Sequence, residues 1–299
     1  MTKTGKIWAI GLGPGSEALL APAARHALEQ ADAIVGYKTY LKLIEQIAPD
    51  TPRQASGMRH EVERVNLAVD LAEAGQRVAV VSSGDAGVYG MAGLVFEVLR
   101  ERGSNGVEVE VVPGISALNA AAALLGAPLM TDFAAISLSD QLVPLDGILR
   151  RVDLAAQAGF ILCLYNPKGV NRVEPFNRTC DILLRQLPPD TPVGVVRAAY
   201  RSKQQVEVIT LAQLPAAEVN MVTVIIVGNR QTLAYNGKML TPRGYADKYE
   251  LDSAQEHRPP PNLPPMGEER QPPPQWRGLR GGKSPPAPAA PGSRSTRSA

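Results

Sequence analysis

Three short segments carry residue types that bring main chain, rather than side chains, against a ligand. Residues 11–15, GLGPG, follow directly on the apolar run KIWAI. Glycines there let a ligand approach the backbone, and the N-terminus of a following helix offers free N–H groups to anions. Residues 83–90, SGDAGVYG, follow the apolar run RVAVVS and hold one carboxylate, Asp85. Its charge suits a cationic or hydroxyl-bearing ligand, or the cap of the next helix. Residues 113–117, PGISA, follow VEVEVV, and Ser116 is placed to cap a helix or to touch a ligand.

Several familiar chemistries do not fit these turns. A dinucleotide fingerprint needs a third glycine where Ser16 stands and an acidic residue after the second strand, whereas Asp32 precedes that strand and Tyr37-Lys38 follow it. A nicotinamide-binding dehydrogenase therefore stays open only if the first turn is read alone. There is no GK[ST] for a P-loop. GISAL lacks the second glycine of a nucleophile elbow, at Leu118, and no suitable Asp and His follow in order. Cys163 lies in an apolar run and Cys180 in a helical pattern, while His26, His60 and His257 stand alone, so neither a disulfide framework nor a metal site is expected. Reduced thiols point to the cytoplasm.

Such turns need strands to hold them. Strands are expected at KIWAIG, AIVGY, RVAVVSSG and VEVEVVPG, separated by helices in LLAPAARHALEQA, residues 40–47, EVERVNLAVDLAEAG and AGLVFEVLRERG. In the third helix Val62, Val65, Val69 and Leu71 keep a roughly 3.6-residue rhythm and form the expected inward face, with Gly75 as its stop. A helix beginning near Ile115 is expected to complete this unit near Gly126. FAAISLS, FILCLYNP, PVGVVRAA, QVEVITL and MVTVIIVGN then form a second set of strands, with helices GILRRVDLAAQAG and EPFNRTCDILLRQL. The Val/Ile runs imply strands covered on both faces, and residues 205–211 are expected to pair with residues 221–227 as an antiparallel element. The pattern is that of an α/β protein with two α/β domains, residues 1–126 and 127–250. All three glycine turns fall at carboxyl ends of strands, the edge at which open α/β sheets bind ligands.

Residues 251–299 hold 12 of the 26 prolines and one aromatic residue, Trp276. Such a segment cannot bury enough apolar surface to offset its ordering entropy, so a disordered tail is expected. It carries 7 of the 31 Lys and Arg but 4 of the 29 Asp and Glu, which leaves the preceding residues near neutrality and argues against a nucleic-acid platform. Its RGLRGGK stretch offers polyanions at most a weak, salt-sensitive attraction. Residues 111–130 run without a charge for the length of a membrane span, but Pro113-Gly114, Asn119 and Pro128 break them. Gly13-Pro14-Gly15 likewise cut the apolar start before a signal-peptide core is reached, so neither membrane nor export is expected.

The three turns in this order, followed by Tyr165-Asn166-Pro167 and by TVIIVGNR at 223–230, resemble the tetrapyrrole methylase family, whose members use S-adenosylmethionine. The resemblance covers about residues 6–249. Finer motifs are GYKTY at 36–40, SGMRHEVER at 56–64, SSGDAGVYGMAG at 82–93, APLMTDFAAISLSD at 127–140, LYNPKG at 164–169 and TPRGY at 241–245. They are similar to the branch that methylates and contracts the ring of a corrin precursor in cobalamin synthesis.

That resemblance implies a homodimer with the cofactor in a trough between the two domains. Position by position it implicates Pro14, Gly84, Asp85, Val88, Ser116, Ala117, Asn166 and Thr223 in binding S-adenosylmethionine and its product S-adenosylhomocysteine, several of them through backbone groups. Asp85 is expected to face the cofactor. A polycarboxylate macrocycle should meet basic side chains around an apolar floor, and Lys38, Arg59, Lys168 and Arg201 lie in the motif loops. Proton removal from a substrate hydroxyl would fall to Asp132, at the domain junction. Thr131 stands where the resemblance calls for histidine. Some relatives bind an iron–sulfur cluster through a cysteine-bearing extension; the C-terminal segment here has no cysteine, so no cluster or other metal is expected. Another precorrin methylase, a diphthine synthase-like protein methylase and a non-catalytic scaffold remain as alternatives.

Overall fold

In the computed structural model, which describes residues 5–57, 60–169, 171–249 and 251, strand β1 (Lys6–Gly11) is followed by helix α1 (Pro22–Gln30), β2 (Ala33–Tyr37), α2 (Lys38–Lys42), β3 (Arg53–Ser56), α3 (Glu61–Glu73), β4 (Arg77–Ser82), α4 (Ala92–Arg102) and β5 (Glu108–Val112). The five strands form one sheet in the order β3-β2-β4-β1-β5, every pair parallel. Side-chain alternation assigns the faces. Trp8, Ile10, Ala79 and Val81 pack with Leu28 of α1 and Leu41 of α2. Ile7, Val35, Val78 and Val80 pack with Val65 and Val69 of α3 and Val95 of α4. Neighbouring strands β1 and β4 thus send their following helices to opposite faces, which opens a crevice at their carboxyl ends.

Of the expected inward face of α3, Val65 and Val69 are buried. The buried face of α3 is Val65, Ala68, Val69 and Ala72, whereas Val62 is 56% exposed and Leu71 only partly buried. Alanines carry the close approach that the rhythm of branched residues suggested. Strand β3, RQAS, was not expected, because it is a polar edge strand with little apolar signal.

After β5 come α5 (Ala117–Leu125), the two-residue β6 (Gly126–Ala127), β7 (Phe133–Ser137), α6 (Leu145–Gln157), β8 (Ile161–Tyr165), α7 (Glu174–Gln186), β9 (Pro192–Arg197), β10 (Gln205–Thr210), β11 (Thr223–Val227), β12 (Leu233–Tyr235), β13 (Lys238–Leu240) and α8 (Tyr245–Lys248). The second sheet has the order β10-β9-β11-β8-β7, with β7 and β8 parallel and the other pairs antiparallel. The expected pairing of residues 205–211 with 221–227 does not occur. Each pairs with β9, which lies between them. Nor does α5 complete the first unit: Leu118, Ala121 and Leu125 pack on Ile161, Cys163, Val196 and Ile226 of the second sheet. Helices α6 and α7 cover its other face. A third sheet, β12-β13-β6, pairs the late hairpin with the chain just after α5.

Both large sheets belong to one compact unit, Met1–Tyr245; the remainder, Ala246–Ala299, forms another. The expected disordered tail lies outside the described residues apart from Leu251, as does Arg59. In the second unit the Lys248 ammonium stands 5.7 Å from the centroid of the Tyr249 ring.

At the carboxyl ends of β1, β4 and β5, main chain meets main chain. Gly13 and Gly84 exchange both backbone hydrogen bonds, at 2.9 and 2.7 Å. A Cβ on Gly11 would stand 2.7 Å from both Gly114 N and Gly84 O, and one on Gly114 would collide with Gly84 O and lie 2.6 Å from Gly11 O. Gly114→Ala is therefore expected to destabilise the protein by about 3 kcal/mol, the upper part of the usual range for overpacking. Gly93→Ala, on an exposed face of α4 with nothing within 4 Å of the new Cβ, should stabilise it by about 0.5–1 kcal/mol. Urea unfolding of the two variants checks the pair, and equal small effects would contradict the interlocked turns.

Candidate functional site

Where these turns face the ends of β8 and β9 and the start of β11, a cavity of about 180 Å³ opens. Six of the eight expected cofactor positions line it: Pro14, Gly84, Val88, Ala117, Asn166 and Thr223. Tyr40, Tyr89, Tyr165 and Arg201 complete much of the wall. The second sheet contributes its edge because Tyr165 ends β8, Ala198 follows β9, and Thr223 begins the antiparallel β11 opposite Arg197.

Asp85 and Ser116 are not in that wall. Asp85 spends its carboxylate inside the protein: Oδ1 accepts from Gly87 N (2.8 Å) and Val88 N (3.1 Å), and Oδ2 accepts from Gly114 N (3.0 Å). It staples the second glycine turn to the third. It does not cap α4, whose N-cap is Met91. Ser116 is the N-cap of α5, its Oγ accepting from Asn119 N at 3.3 Å.

The first turn also differs from expectation. A 3-10 turn, Glu17–Leu19, separates it from α1, which begins at Pro22 behind the N-cap Ala21. No α-helix N-terminus follows the glycines directly, and the Gly13 N–H is held by Gly84 O, so the expected anion site of helix N–H groups does not form there.

Left-handed backbone at residues other than glycine gathers around the cavity. Tyr89 (φ 53°), Asn166 (φ 51°) and Ala198 (φ 49°) line it, and Tyr200 (φ 57°) is next to Arg201. Each such residue costs of order 1–3 kcal/mol and persists where its surroundings hold it. Those surroundings are visible. The Tyr89 hydroxyl donates to Ala135 O (2.9 Å) and accepts from Ser137 N (3.1 Å), bonding to the edge of β7. Asn166 donates through Nδ2 to Ser137 Oγ (3.0 Å), and its carbonyl accepts from Arg172 Nη2 (3.1 Å).

Tyr165 packs 5.0 Å from the Tyr89 ring, and its Oη accepts from Leu118 N at 2.9 Å, so strand β8 holds the first turn of α5. Burial pushes the Tyr165 phenol up to about 12. Burial also raises the Tyr89 and Tyr40 phenols above their ordinary value.

The expected substrate-binding cations scatter. Lys38 is exposed in the first turn of α2, and the Lys168 ammonium sits 4.4 Å from the centroid of the Phe176 ring. Neither lines the cavity; Arg201 does. Arg64, unnoticed in the sequence, is 4% exposed, donating from Nε to Ser56 Oγ (2.7 Å) and from Nη2 to Gly57 O (2.9 Å). Its signal was position, since it occupies the apolar stripe one turn before Ala68.

Asp132, the expected general base, stands apart from the cavity wall. It is exposed, and its carbonyl accepts from Ile161 N at the amino edge of the second sheet. The cavity lies at the carboxyl edge, beyond Tyr165, roughly 13 Å away along β8 at ~3.3 Å per residue. Asp132 is not among the residues that line the cavity. Beside it, the Thr131 hydroxyl is buried with no hydrogen-bond partner among the described residues. Among the described residues no group of three or more His, Cys, Asp or Glu could hold a metal ion, and no helix is long and apolar enough to cross a membrane.

Comparison with known proteins agrees with this architecture. Residues 6–215 match the family model of Tetrapyrrole (Corrin/Porphyrin) Methylases. The chain is 48% identical over 255 residues to the cobalt-factor III methyltransferase of Priestia megaterium, covering 84% of this chain and 47% of that protein. It thus spans about half the length of that relative. It is 46% identical over 236 residues to a probable cobalt-factor III C(17)-methyltransferase of Salmonella typhimurium, covering 79% and 98%, and 38% identical over 250 residues to a precorrin-3B C(17)-methyltransferase of Sinorhizobium sp, covering 81% and 98%. Among solved structures, the methyltransferase CobJ superposes with a TM-score of 0.75 at 38% identity over 80% of this chain and 100% of that one. The uroporphyrin-III C-methyl transferase of Thermus thermophilus complexed with S-adenyl homocysteine shares the fold, with a TM-score of 0.58 at 24% identity over 75% and 97%.

Two measurements probe the site's internal bonds. Asp85→Ala strands three backbone N–H groups and is expected to cost about 2–3 kcal/mol in urea unfolding, Asp85→Asn less because one oxygen remains. An Asp85→Ala variant as stable as the parent would remove the staple. For Tyr165 the folded state favours the neutral phenol, so its contribution is whole below pH 10 and is lost as pH rises from 10 towards 12, at about 1.4 kcal/mol per pH unit. Tyr165→Phe should begin about 1 kcal/mol less stable at pH 8, having lost the Leu118 bond, and close that gap by about pH 11. A constant gap at both pH values would contradict the buried phenol.

Proposed function

The chain belongs to the tetrapyrrole methylase family, and we propose that it transfers a methyl group from S-adenosylmethionine to C17 of precorrin-3B or cobalt-factor III, with contraction of the ring, in cobalamin biosynthesis. The observation that carries this reading is the convergence of three glycine turns and the edge of a second sheet on one cavity, lined by six positions singled out for the cofactor. The C17 assignment is supported by the relatives that carry that name, and the cobalt-bearing ring is favoured because those relatives are the more similar, at 46% identity against 38%.

The residues present fit such a cofactor. Gly84 has φ 71°, and a Cβ there would stand 3.3 Å from Ala117 N, so a side chain would intrude on the cradle. Small residues at 14, 84 and 117 leave main chain accessible, Val88 and Val224 give apolar walls, and Asn166 and Thr223 give polar ones. The enclosed volume is smaller than the ~300–1,000 Å³ usual for small-molecule sites, so a nucleoside-bearing ligand would extend along the open crevice. When bound, S-adenosylmethionine supplies an electrophilic methyl on a positively charged sulfur. The chain's part is to hold, align and dehydrate the reactants; no side-chain nucleophile is needed. Pro14, Gly84, Val88, Ala117, Asn166 and Thr223 are assigned to direct contact, Asp85 and Ser116 to shaping the turns that make it.

The nicotinamide reading is disfavoured by the 3-10 turn that separates the first glycines from α1. We further infer a cytoplasmic homodimer. Two fully buried free thiols accord with a reducing compartment, and exposed Leu233, Tyr235 and Leu240 on the small sheet are apolar surface that a second copy would cover.

The deciding experiment incubates the protein with methyl-labelled S-adenosylmethionine and, separately, precorrin-3B and cobalt-factor III. Labelled product with a contracted ring is expected from both, with the higher kcat/KM for cobalt-factor III. Tight NAD binding without S-adenosylhomocysteine binding, or a cofactor-binding protein that labels neither ring, would overturn the proposal.

A further inference from the structure

Arg201 reaches from the loop after β9 across the cavity to the turns of the first sheet. Its Nε donates to Pro14 O at 2.7 Å and its Nη2 to Ser83 Oγ at 2.7 Å. The stem lies on Gly15, where a Cβ would come within 2.8 Å of Nε and 3.1 Å of Cγ, so the first turn is shaped to receive it. The loop that presents it holds Ala198 and Tyr200 in left-handed backbone.

Among the described residues, every hydrogen-bond partner of this guanidinium is neutral. Among the described residues no carboxylate pairs with it, whereas Arg77, Arg102, Arg172 and Arg197 pair with Asp32, Asp70 and Glu73, Asp140, and Glu218 respectively. Nη1 makes no hydrogen bond with the described residues, though it belongs to a side chain that lines the cavity. Withdrawing a cation from water without a counter-ion is unfavourable, and here burial pulls the guanidinium below its ordinary pKa with only Tyr40 opposing. An arginine held by neutral acceptors on one side and open on the other matches a planar, two-oxygen anion.

We propose that Arg201 is the carboxylate-binding residue of the cavity, its free N–H groups taking a carboxylate of the ligand while Nε and Nη2 keep their bonds to the two turns. The proposal rests on the cavity being the methyl-transfer site. Two ligands could bring the carboxylate: the amino-acid end of S-adenosylmethionine, or an acid side chain on the rim of the macrocycle.

Calorimetry on the full chain and on Arg201→Met and Arg201→Lys separates them. The probes are S-adenosylhomocysteine, 5′-methylthioadenosine, which has the same nucleoside without the carboxylate, and uroporphyrin III, a macrocycle with carboxylate arms. Arg201→Met is expected to weaken at least one carboxylate-bearing probe by roughly 10- to 100-fold and to leave 5′-methylthioadenosine unchanged, with Arg201→Lys between. Loss confined to S-adenosylhomocysteine places the carboxylate on the cofactor; loss confined to uroporphyrin III places it on the macrocycle. Unchanged affinity for both, or parallel weakening of S-adenosylhomocysteine and 5′-methylthioadenosine in both variants, would overturn the proposal and leave Arg201 as a prop between turns. Failure of the unaltered protein to bind either nucleoside would instead overturn the methyltransferase reading.

Discussion

Everything at the site depends on how closely the turns after β1, β4 and β5 approach one another. They meet backbone to backbone at Gly11, Gly84 and Gly114, with no room for a Cβ at the first or the last. Parallel strands alone do not produce this, because their hydrogen bonds end where the strands end. Past the sheet the Gly13–Gly84 exchange adds an isolated antiparallel bridge between the turns that follow the parallel β1 and β4, and the Asp85 carboxylate extends the connection to Gly114. One anionic side chain thus satisfies three N–H groups that the turns would otherwise leave unbonded, and the carboxyl edge becomes a rigid surface made largely of main chain.

Side chains, not strand pairing, connect that surface to the second sheet. Tyr89 leaves the second turn and bonds the edge of β7, Tyr165 leaves β8 and holds the first turn of α5, and Arg201 leaves the loop after β9 and holds the first two turns. These bonds run in both directions between the sheets, so the crevice walls are fixed in position without being fused. The left-handed backbone at Tyr89, Asn166, Ala198 and Tyr200 lies in the residues that make or flank these connections. Strain of this kind is maintained by interactions that over-determine the conformation, and here those interactions are the hydroxyl and guanidinium bonds themselves.

Much of this was legible in the amino-acid order. Apolar runs such as KIWAIG and AIVGY coincide with β1 and β2, because buried parallel strands need continuous apolar residues, and glycine clusters marked the three turns. What was not legible followed from long-range packing. RQAS has no periodic signal, so β3 is a strand only because β2 offers it an edge. The insertion of β9 between β10 and β11 reflects topology that neighbouring segments do not encode. Lys168 was a plausible substrate ligand by motif, but the Phe176 ring occupies its ammonium. Arg64 went unread because charge outweighed its place on the apolar stripe of α3.

Asp85 and Asp132 mark where motif reasoning about chemistry fails, and for opposite reasons. Asp85 stands in a turn that borders the cavity, yet the glycines that expose backbone there also leave N–H groups needing an acceptor, and the nearest carboxylate is drawn inward to supply it. Asp132 stands beside the junction of the two sheets in sequence, yet a strand carries its residues steadily away from one edge, and five positions suffice to put the start of β7 at the far end from the cavity. A site assembled from main chain advertises itself through residues that lack functional groups. Its charged neighbour in sequence does the bonding that keeps those residues in place, and the charge proposed to meet a ligand comes from a loop over a hundred residues away, at Arg201, which also bonds the first two turns.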